Sequence, residues 1–374
     1  MKPAFVFCSD SHLEPLTYVT MEDMRYDAFL GFSQAIDKTV KYDTDIVFGG
    51  DNTENNPRDY PGPETINFLG RQLDRLEKKG LKAYYVNGQH DRTRNGYDWM
   101  QATNPRVAIP LHMRRETIRG ISLVGLNSVF YHELDDHVKS LDDNLIQQDD
   151  VFVCHQRWAE FLRFEGAADG RLKDLPPKLR TVITGDYHGR KVLKIKKNGK
   201  DLFRVISPGA TCRRAKAEPD EHFVWTYRTD HTAISSKIAS RPVLRLRVDD
   251  VHDVDQLADT RKAKLAKLQH QGEKLPIEIR KPLVYIDGEG SPDLMEAASR
   301  LFTTYCHVRI TSSRRVSVTQ TTQDWQPRRG KVDVCDFVPK VCADSDMVDF
   351  LSQGLRTQDP QTFVANWRKQ QGLT

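Results

Sequence analysis

A glycine pair followed by a single carboxylate is the feature that most constrains the fold of this chain. Gly49, Gly50 and Asp51 directly follow the apolar run Asp45–Phe48. A short run of β-branched and aromatic residues predicts a buried strand, and glycines mark its carboxyl end. Open α/β sheets place their chemistry just beyond that end of a strand. A lone aspartate there is usually a turn residue, so its meaning depends on how the other strands end.

Four other predicted strands also end in Asp, His or amide side chains. The strand predicted at residues 3–9 is followed by Asp10 and His12, and the strand at 82–86 is followed by Gln89, His90 and Asp91. The strand at 151–154 is followed by His155, and the strand at 181–184 is followed by Asp186 and His188. Loops at the ends of neighbouring strands meet in space, so we expect these side chains to converge. Carboxylate, imidazole and amide ligands without thiolate suit Mn, Fe or Zn in five- or six-coordinate sites. Two metals ~3.5–4 Å apart would share one carboxylate and clamp a phosphoryl group.

The order of predicted elements indicates an α/β fold. Helices predicted at 25–42 and 64–79 alternate with the first three strands, which is typical of a parallel or mixed sheet. The following region is richer in strands, with hairpins predicted at Arg119-Gly120 and Asn198-Gly199.

Beyond residue 240 the alternation of strand and helix restarts. We predict four segments, listed here in chain order: a main α/β domain at 1–240, a small α/β domain at 241–312, a polar linker at 313–343 and a helical tail at 344–374. The small domain is predicted to contain strands at 243–248, 283–287 and 307–310 and helices at 255–269 and 292–303. The apolar stripe of the tail indicates either a small core or a docking surface for another protein.

Length and composition agree with a protein of more than one domain. The chain has 374 residues and is 38% hydrophobic and 29% charged, with a mean hydropathy of −0.60. No stretch approaches the roughly eighteen apolar residues of a membrane span. The six cysteines include no CxxC pair, so reduced thiols are expected. We therefore expect a cytoplasmic protein, bacterial or viral in an infected host, with no membrane partner.

Charge is unevenly distributed along the chain. Residues 1–150 carry 17 Lys and Arg against 24 Asp and Glu, a balance of −7, and residues 151–374 carry 39 against 28, a balance of +11. An acidic half that holds cations beside a basic half that holds phosphates is compatible with nucleic-acid binding. Four basic residues close to the last ligand loops are predicted to contact the DNA backbone: Arg190, Lys191, Arg213 and Arg214. Such contacts predict DNA binding that is independent of sequence and strongly salt-sensitive.

The order of these motifs resembles the calcineurin-like metallophosphoesterase superfamily. The chain reads D-x-H, G-D, G-Q-H-D, H and G-D-x-H over residues 10–188. The Ser207-Pro208-Gly209 block and the layout after residue 240 are similar to SbcD-like DNA nuclease subunits. The resemblance implies a four-layer β-sandwich flanked by helices, a small α/β capping domain, and a helical tail.

The same resemblance implies roles for the motif residues. Asp10, His12, Asp51 and His188 would hold one Mn²⁺. The second Mn²⁺ would be held by Asp51, Gln89, His155 and Asp186, with Asp51 bridging the two ions. His90 would be the catalytic residue at the scissile phosphate, and Asp91 would orient it. Further implications are duplex DNA ends as substrate, a coiled-coil SMC-type ATPase partner, and a homodimer through the helix at 64–79.

Two positions depart from the superfamily pattern, and both belong to the second metal. Gln89 stands where the superfamily has Asn, and Asp186 stands where it has His. Both still offer oxygen, so we expect a working site that prefers Mn²⁺ or Mg²⁺ over Zn²⁺, the alternative being a weakened second site. Two other functions stay open at this point: a stand-alone phosphatase or phosphodiesterase, and a catalytically silent scaffold that binds DNA or the ATPase.

Overall fold

The computed structural model of the chain describes residues 2–13, 26–54, 61–91, 96, 98–162, 165–197, 199–214 and 217–312. The strands, in chain order, are β1 Pro3–Cys8, β2 Asp45–Phe48, β3 Ala83–Tyr85, β4 Ala108–Pro110, β5 Arg115–Ile118, β6 Ile121–Leu126, β7 Val151–His155, β8 Thr181–Gly185, β9 Lys191–Lys197, β10 Lys200–Ser207, β11 His222–Arg228, β12 Ala233–Ile238, β13 Val243–Arg247, β14 Leu283–Gly288 and β15 His307–Ser312. The α-helices are α1 Asp27–Tyr42, α2 Pro63–Glu77, α3 Trp99–Thr103, α4 Leu134–Asn144, α5 Val251–Gly272 and α6 Pro292–Arg300.

Two six-stranded sheets form the main body of the fold. The first has the order β12-β11-β1-β2-β3-β4, and the second has the order β5-β6-β7-β8-β10-β9. Strands β1 to β4 are parallel in the first sheet, and β6, β7, β8 and β10 are parallel in the second. The carboxyl ends of these parallel strands therefore lie together at one edge of each sheet.

Alternation of side chains along the strands explains why the sheets stack and are covered by helices. On β1, Phe5 and Phe7 point into a core shared with Val153 and Ile183 of the second sheet. The intervening Val6 and Cys8 pack on the other face against α1 and α2. The outer face of the second sheet packs in the same way against α4. The predicted α/β fold of two sheets flanked by helices is confirmed.

A third sheet follows, with the parallel order β13-β14-β15 and helices α5 and α6 packed in its own core. It is joined to the main sheets by a buried ion pair, in which Arg241 Nε lies 3.0 Å from a carboxylate oxygen of Asp27 at the start of α1. The ring of Tyr285 on β14 also lies 5.7 Å below the guanidinium of Arg213. The boundary between domains at residue 240 stays a prediction.

Several predicted elements have different bounds in the structure. Helix α5 begins at residue 251 rather than 255, because Asp250 and Asp253 form a reciprocal capping box that starts it earlier. Helix α6 ends at 300 rather than 303. Helices α3 and α4 and strand β4 were not predicted, since short or strongly acidic segments lack a clear apolar period. The predicted linker and tail, 313–374, lie outside the described residues. Within the described ranges, no helix is long and apolar enough to cross a membrane.

Candidate metal centre

The two sheets bring the predicted ligand loops together at their carboxyl edges. The loop after β1 runs beside the loop after β2, because Asp10 N donates to Gly50 O at 3.0 Å and His12 N donates to Asp51 O at 2.8 Å. The loop after β8 joins them through a bond of 3.0 Å from Asp186 N to Asp10 Oδ1. The convergence expected from the strand ends is therefore present in the structure.

Backbone strain marks the same loops. Four of the predicted ligands have a positive φ, in the left-handed region that residues other than glycine rarely adopt. The values are 54° at Asp10, 46° at His12, 49° at Asp51 and 75° at Asp186. Strained backbone of this kind clusters at functional sites, where the surrounding structure holds it in place. Four of the seven predicted ligands thus share an unusual backbone conformation.

Close packing explains the glycine at position 88 of these loops. A Cβ atom at Gly88 would collide with the carboxylate of Asp51, so this position must remain a glycine for that carboxylate to keep its place. The glycine of the G-Q-H-D motif is needed to make room for a proposed ligand.

Three overlapping groups of side chains offer metal ligands among the described residues. They are Asp10, His12 and His188; His12, Asp51 and His90; and Asp10, Asp51 and His155. Within each group the ligand atoms lie within 4.8 Å of one another. The third group shares Asp10 with the first group and Asp51 with the second. Two adjacent cations need such shared carboxylates.

Three buried polar atoms of this centre have no hydrogen-bond partner: Asp10 Oδ2, Asp51 Oδ2 and His155 Nε2. The ring of His155 is held by a bond of 2.8 Å between Nδ1 and Gly49 O, which leaves Nε2 at 3.3 Å from Asp51 Oδ2. Buried polar atoms are nearly always partnered, and a carboxylate pair with an imidazole nitrogen is a common cation-binding set. The residues present therefore fit a divalent metal ion.

The electrostatics of His155 support the same conclusion. Burial alone would lower the pKa of His155, but the carboxylates of Asp51, Asp10 and Asp186 outweigh burial and raise it to about 10. The pocket around this ring is thus strongly favourable to positive charge. A proton or a metal ion satisfies the same need.

The imidazole of His188 is oriented by a glutamate that sequence reasoning missed. His188 Nδ1 lies 2.6 Å from Glu218 Oε1, which leaves Nε2 at 3.7 Å from Asp10 Oδ1. Burial opposes the charged ring, but Glu218 and Asp10 raise the pKa of His188 to about 9. A carboxylate behind a histidine ligand fixes its tautomer and strengthens its basicity. No spacing in the sequence pointed to Glu218, thirty residues after its partner.

A second missed residue, Glu54, contacts the predicted catalytic histidine. His90 Nδ1 lies 2.6 Å from Glu54 Oε1, and His90 N donates to Asp51 Oδ1 at 2.9 Å. The hydrogen bond with Glu54 raises the pKa of His90, against the lowering effect of burial. Glu54 follows Asp51 by only three residues, so its proximity to the ligand was the available signal.

The carboxylate of Asp91 is held by the backbone of neighbouring loops. Its carboxylate accepts hydrogen bonds from Thr53 N at 2.7 Å, Gly88 N at 2.9 Å and Asn52 N at 3.1 Å. It therefore ties the loop after β2 to the loop after β3, while Glu54 contacts the ring of His90. The predicted influence of Asp91 on the orientation of His90 stays a prediction.

The two residues that depart from the superfamily pattern contact each other. Gln89 Nε2 donates to Asp186 Oδ1 at 2.7 Å. Asp186 does not belong to the three groups of carboxylates and imidazoles with ligand atoms within 4.8 Å. The structure thus places both beside the predicted second metal position, joined through the amide nitrogen of Gln89, and their role as ligands stays a prediction.

The four basic residues predicted to contact DNA separate into different environments. Arg214 reaches the centre, with Nη2 at 2.6 Å from Glu54 Oε2 and Nη1 at 2.6 Å from His12 Nε2. Arg213 is buried, pairs with Asp220 and faces the third sheet.

The remaining two lie at the start of β9. Arg190 stacks 3.9 Å from the ring centre of Phe223, and Lys191 donates to Glu160 O at 3.2 Å. Of these basic residues, Arg214 is the one whose described contacts include the predicted metal ligand His12. DNA contact by each of the four stays a prediction.

Comparison with known proteins finds a curated relative of this chain. No family model matches the chain. It is 26% identical over 206 residues to the DNA double-strand break repair protein Mre11 of Sulfurisphaera tokodaii, a match that covers 52% of this chain and 51% of the relative. The chain thus spans about half the length of the curated relative it matches. This match confirms the resemblance to calcineurin-like metallophosphoesterases of the Mre11/SbcD type.

Solved structures add only distant likenesses. One is described as a novel archaeal phosphodiesterase, with 13% identity, a TM-score of 0.34 and coverage of 63% of this chain and 99% of that chain. Another is a family 1 β-glucosidase from Thermotoga maritima, with 10% identity, a TM-score of 0.24 and coverage of 82% and 86%. At such TM-scores neither likeness carries an argument about fold or function.

Proposed function

We propose that this chain is a metal-dependent phosphodiesterase that cleaves DNA, as an SbcD-like nuclease subunit does. One observation carries the proposal: Asp10 Oδ2, Asp51 Oδ2 and His155 Nε2 are buried without hydrogen-bond partners and belong to one ligand group. That group shares its carboxylates with two neighbouring groups, so the centre suits two cations. The similarity to a repair protein supports DNA as the substrate.

Asp10, His12, Asp51 and His188 would hold the first metal, and Asp51 and His155 would form the base of the second. Gln89 and Asp186 would complete the second site. Bound divalent ions at such a centre polarise phosphoryl oxygens and activate water. Carboxylate- and amide-rich sets favour hard cations, so we propose Mn²⁺, with Mg²⁺ as a substitute.

His90 is placed to act on the departing oxygen of a phosphodiester. Its side chain is 29% exposed at the surface of an otherwise buried centre, and its Nε2 lies 4.0 Å from Asp51 Oδ2. Because Glu54 holds Nδ1 and raises the pKa of His90, the ring can keep a proton on Nε2 and give it to the leaving group. Glu54 is therefore a positioning residue for His90.

The partners of the chain follow from the same proposal. A homodimer through α2 would have to use its outer surface, because Phe68, Leu69, Leu73 and Leu76 are buried in the core of this chain. The SMC-type ATPase would bind through the tail at 344–374. A cytoplasmic location stays a prediction.

A catalytically silent scaffold is the second candidate, and the contact between Gln89 and Asp186 favours it. The hydrogen bond from Gln89 Nε2 occupies Asp186 Oδ1, one of the oxygens that a second metal would otherwise use. The buried ligand group around Asp51 speaks for the first candidate, since a scaffold has no need of unpartnered carboxylates in its core.

Release of nucleotides from linear duplex DNA with Mn²⁺ tests the proposal. The wild-type chain and the control His270→Ala, whose side chain is 80% exposed on α5, should both cut. His90→Ala should lose about 10²- to 10⁴-fold in rate, as expected for removal of a general acid. Hydrolysis of small phosphoesters without cleavage of DNA would indicate a stand-alone phosphoesterase, and DNA binding without any hydrolysis would indicate the scaffold.

A further inference from the structure

Three consecutive residues with aromatic or imidazole rings lie in the segment 130–132, which follows β6 and which we call the ring loop. Phe130 is 59% exposed and Tyr131 is 69% exposed, whereas the next most exposed aromatic residue of the described chain, Tyr305, reaches 45%. The ring of His132 stacks on that of Phe130 at 5.8 Å and 12°, and meets that of Tyr131 edge-on at 5.3 Å. Such an exposed apolar surface in a folded chain marks an interaction site.

The ring loop is held firmly at both ends. Val129 before it and Leu134 after it are buried in the core beneath the second sheet. Glu133 N donates to Phe130 O at 2.9 Å, which closes the turn between them. The exposed rings are thus presented by anchored backbone, so that their positions are largely set before any ligand arrives.

The residues just before the ring loop contact neighbours of two predicted ligands. It follows β6, whose carboxyl end lies at the same sheet edge as the ends of β7 and β8. Ser128 N donates to Asn87 O at 2.8 Å, two residues before Gln89. Gln156, next to His155, donates through Nε2 to Asn127 O at 2.9 Å. The segment that leads into the ring loop is therefore tied to the loops that carry Gln89 and His155.

The charges directly after the ring loop are unfavourable to a phosphate backbone. Asp135 and Asp136 are exposed on the first turn of α4, directly after the loop. Negative charge there opposes a phosphate backbone, which needs basic partners. A nucleobase, in contrast, stacks on exposed aromatic rings regardless of its identity.

We propose that the ring loop is a stacking platform for unpaired nucleobases at a DNA end, holding frayed bases while the adjoining phosphodiester enters the metal centre. This inference rests on the proposed function and names the form of substrate that the site receives. Stacking of one base on an aromatic side chain corresponds to a gain of about 5- to 150-fold in affinity.

Binding to two matched oligonucleotide duplexes tests the inference. Both have the same phosphates and the same frayed end, but in one the terminal unpaired nucleotides carry 2-aminopurine and in the other they are abasic. Without divalent metal, the wild-type chain should bind the base-containing end about 5- to 150-fold more tightly and change its 2-aminopurine fluorescence. The double variant Phe130→Ala/Tyr131→Ala should bind both ends as weakly as the wild type binds the abasic one.

The control is Tyr42→Ala. Tyr42 is a 38% exposed aromatic residue at the end of α1, just before β2 begins and so at the sheet edge opposite the centre. This variant should keep the preference for bases. Phe130→Tyr with Tyr131 intact should also keep it, and thermal unfolding of each variant confirms that it is folded.

The outcomes separate this inference from the proposed function. A chain that cuts DNA but binds both ends equally contradicts the stacking platform alone. A chain that prefers bases but never cuts DNA contradicts the nuclease alone. If the double variant instead changes the molecular mass in solution and keeps its base preference, the ring loop is a contact between copies of the chain, and the inference is wrong.

Discussion

Gln89 Nε2 donates a hydrogen bond to Asp186 Oδ1 across 2.7 Å, so the two positions at which this chain departs from the metallophosphoesterase motif contact each other. Two departures in contact behave as a matched pair, since each offers the group that the other binds. The two unusual residues of the sequence therefore occupy one place in the centre.

We expect the two substitutions that restore the motif to be coupled. Gln89→Asn and Asp186→His should each weaken the second metal, and the double variant should recover affinity beyond the sum of the single effects. Coupling between contacting residues is about 0.5–3 kcal/mol. Calorimetric titration with Mn²⁺ measures it. Strict additivity of the two effects would show that the hydrogen bond has no influence on the metal.

Glu54→Gln should slow the reaction through His90. The glutamate holds Nδ1 of His90 at 2.6 Å and raises the pKa of that ring. Loss of such an orienting carboxylate typically costs about 10- to 100-fold in activity. Because the proton on His90 is lost as pH rises through its pKa, the basic limb of the pH–rate profile should move to lower pH in Glu54→Gln.

Asp91→Asn provides the contrast to Glu54→Gln. Asp91 accepts several hydrogen bonds from the backbone of neighbouring loops, so its substitution should lower the free energy of unfolding by about 1–3 kcal/mol. The basic limb of the pH–rate profile should stay where it is. A shift of that limb in Asp91→Asn, with none in Glu54→Gln, would reverse the roles assigned to the two carboxylates.

The ion pair between Asp27 and Arg241 should make stability depend on pH. Burial raises the pKa of Asp27 to about 6, and Arg241 only partly offsets this effect. The folded chain therefore holds this proton more tightly than the unfolded chain, whose aspartate has a pKa near 3.8. The contribution of this proton to the free energy of unfolding is complete below about pH 4 and is lost as pH rises through about 6.

Asp27→Asn removes this titration. The difference in unfolding free energy between wild type and variant should change by about 3 kcal/mol between pH 4 and 7, in the direction of a less stable wild type at pH 7. Chemical denaturation at a series of pH values measures it. A difference that stays constant over this range would mean that Asp27 is ionised throughout.

Much of the centre could be predicted because its ligands follow strands. Asp10, Asp51 and His155 each come directly after an apolar run, and parallel pairing brings the ends of such runs together. Which side chain supports which ligand could not be predicted in this way. The contacts of Glu54 with His90 and of Glu218 with His188 depend on the conformation of loops. That conformation includes left-handed backbone at Asp51 and Asp186, which hydrophobic periodicity in the sequence does not predict.

The same limit applies to the basic residues and to the less regular elements. Arg213 and Arg214 are neighbours of the same type, yet one turns toward the third sheet and the other toward His12. Helix α4 carries Asp135 and Asp136 in its first turn, and Leu134 and Leu141 are its buried residues. With so few apolar positions its period is weak, and its position is set by packing on the second sheet.

The central claim is that Asp51 serves both metal positions, and calorimetric titration with Mn²⁺ tests it most directly. The wild-type chain should bind two ions. Asp51→Asn should weaken both, because Asp51 Oδ2 lies between His155 and His12, at 3.3 and 3.7 Å from their Nε2 atoms. His155→Ala should affect mainly one. An Asp51→Asn chain that still binds two ions with wild-type affinity would contradict the account.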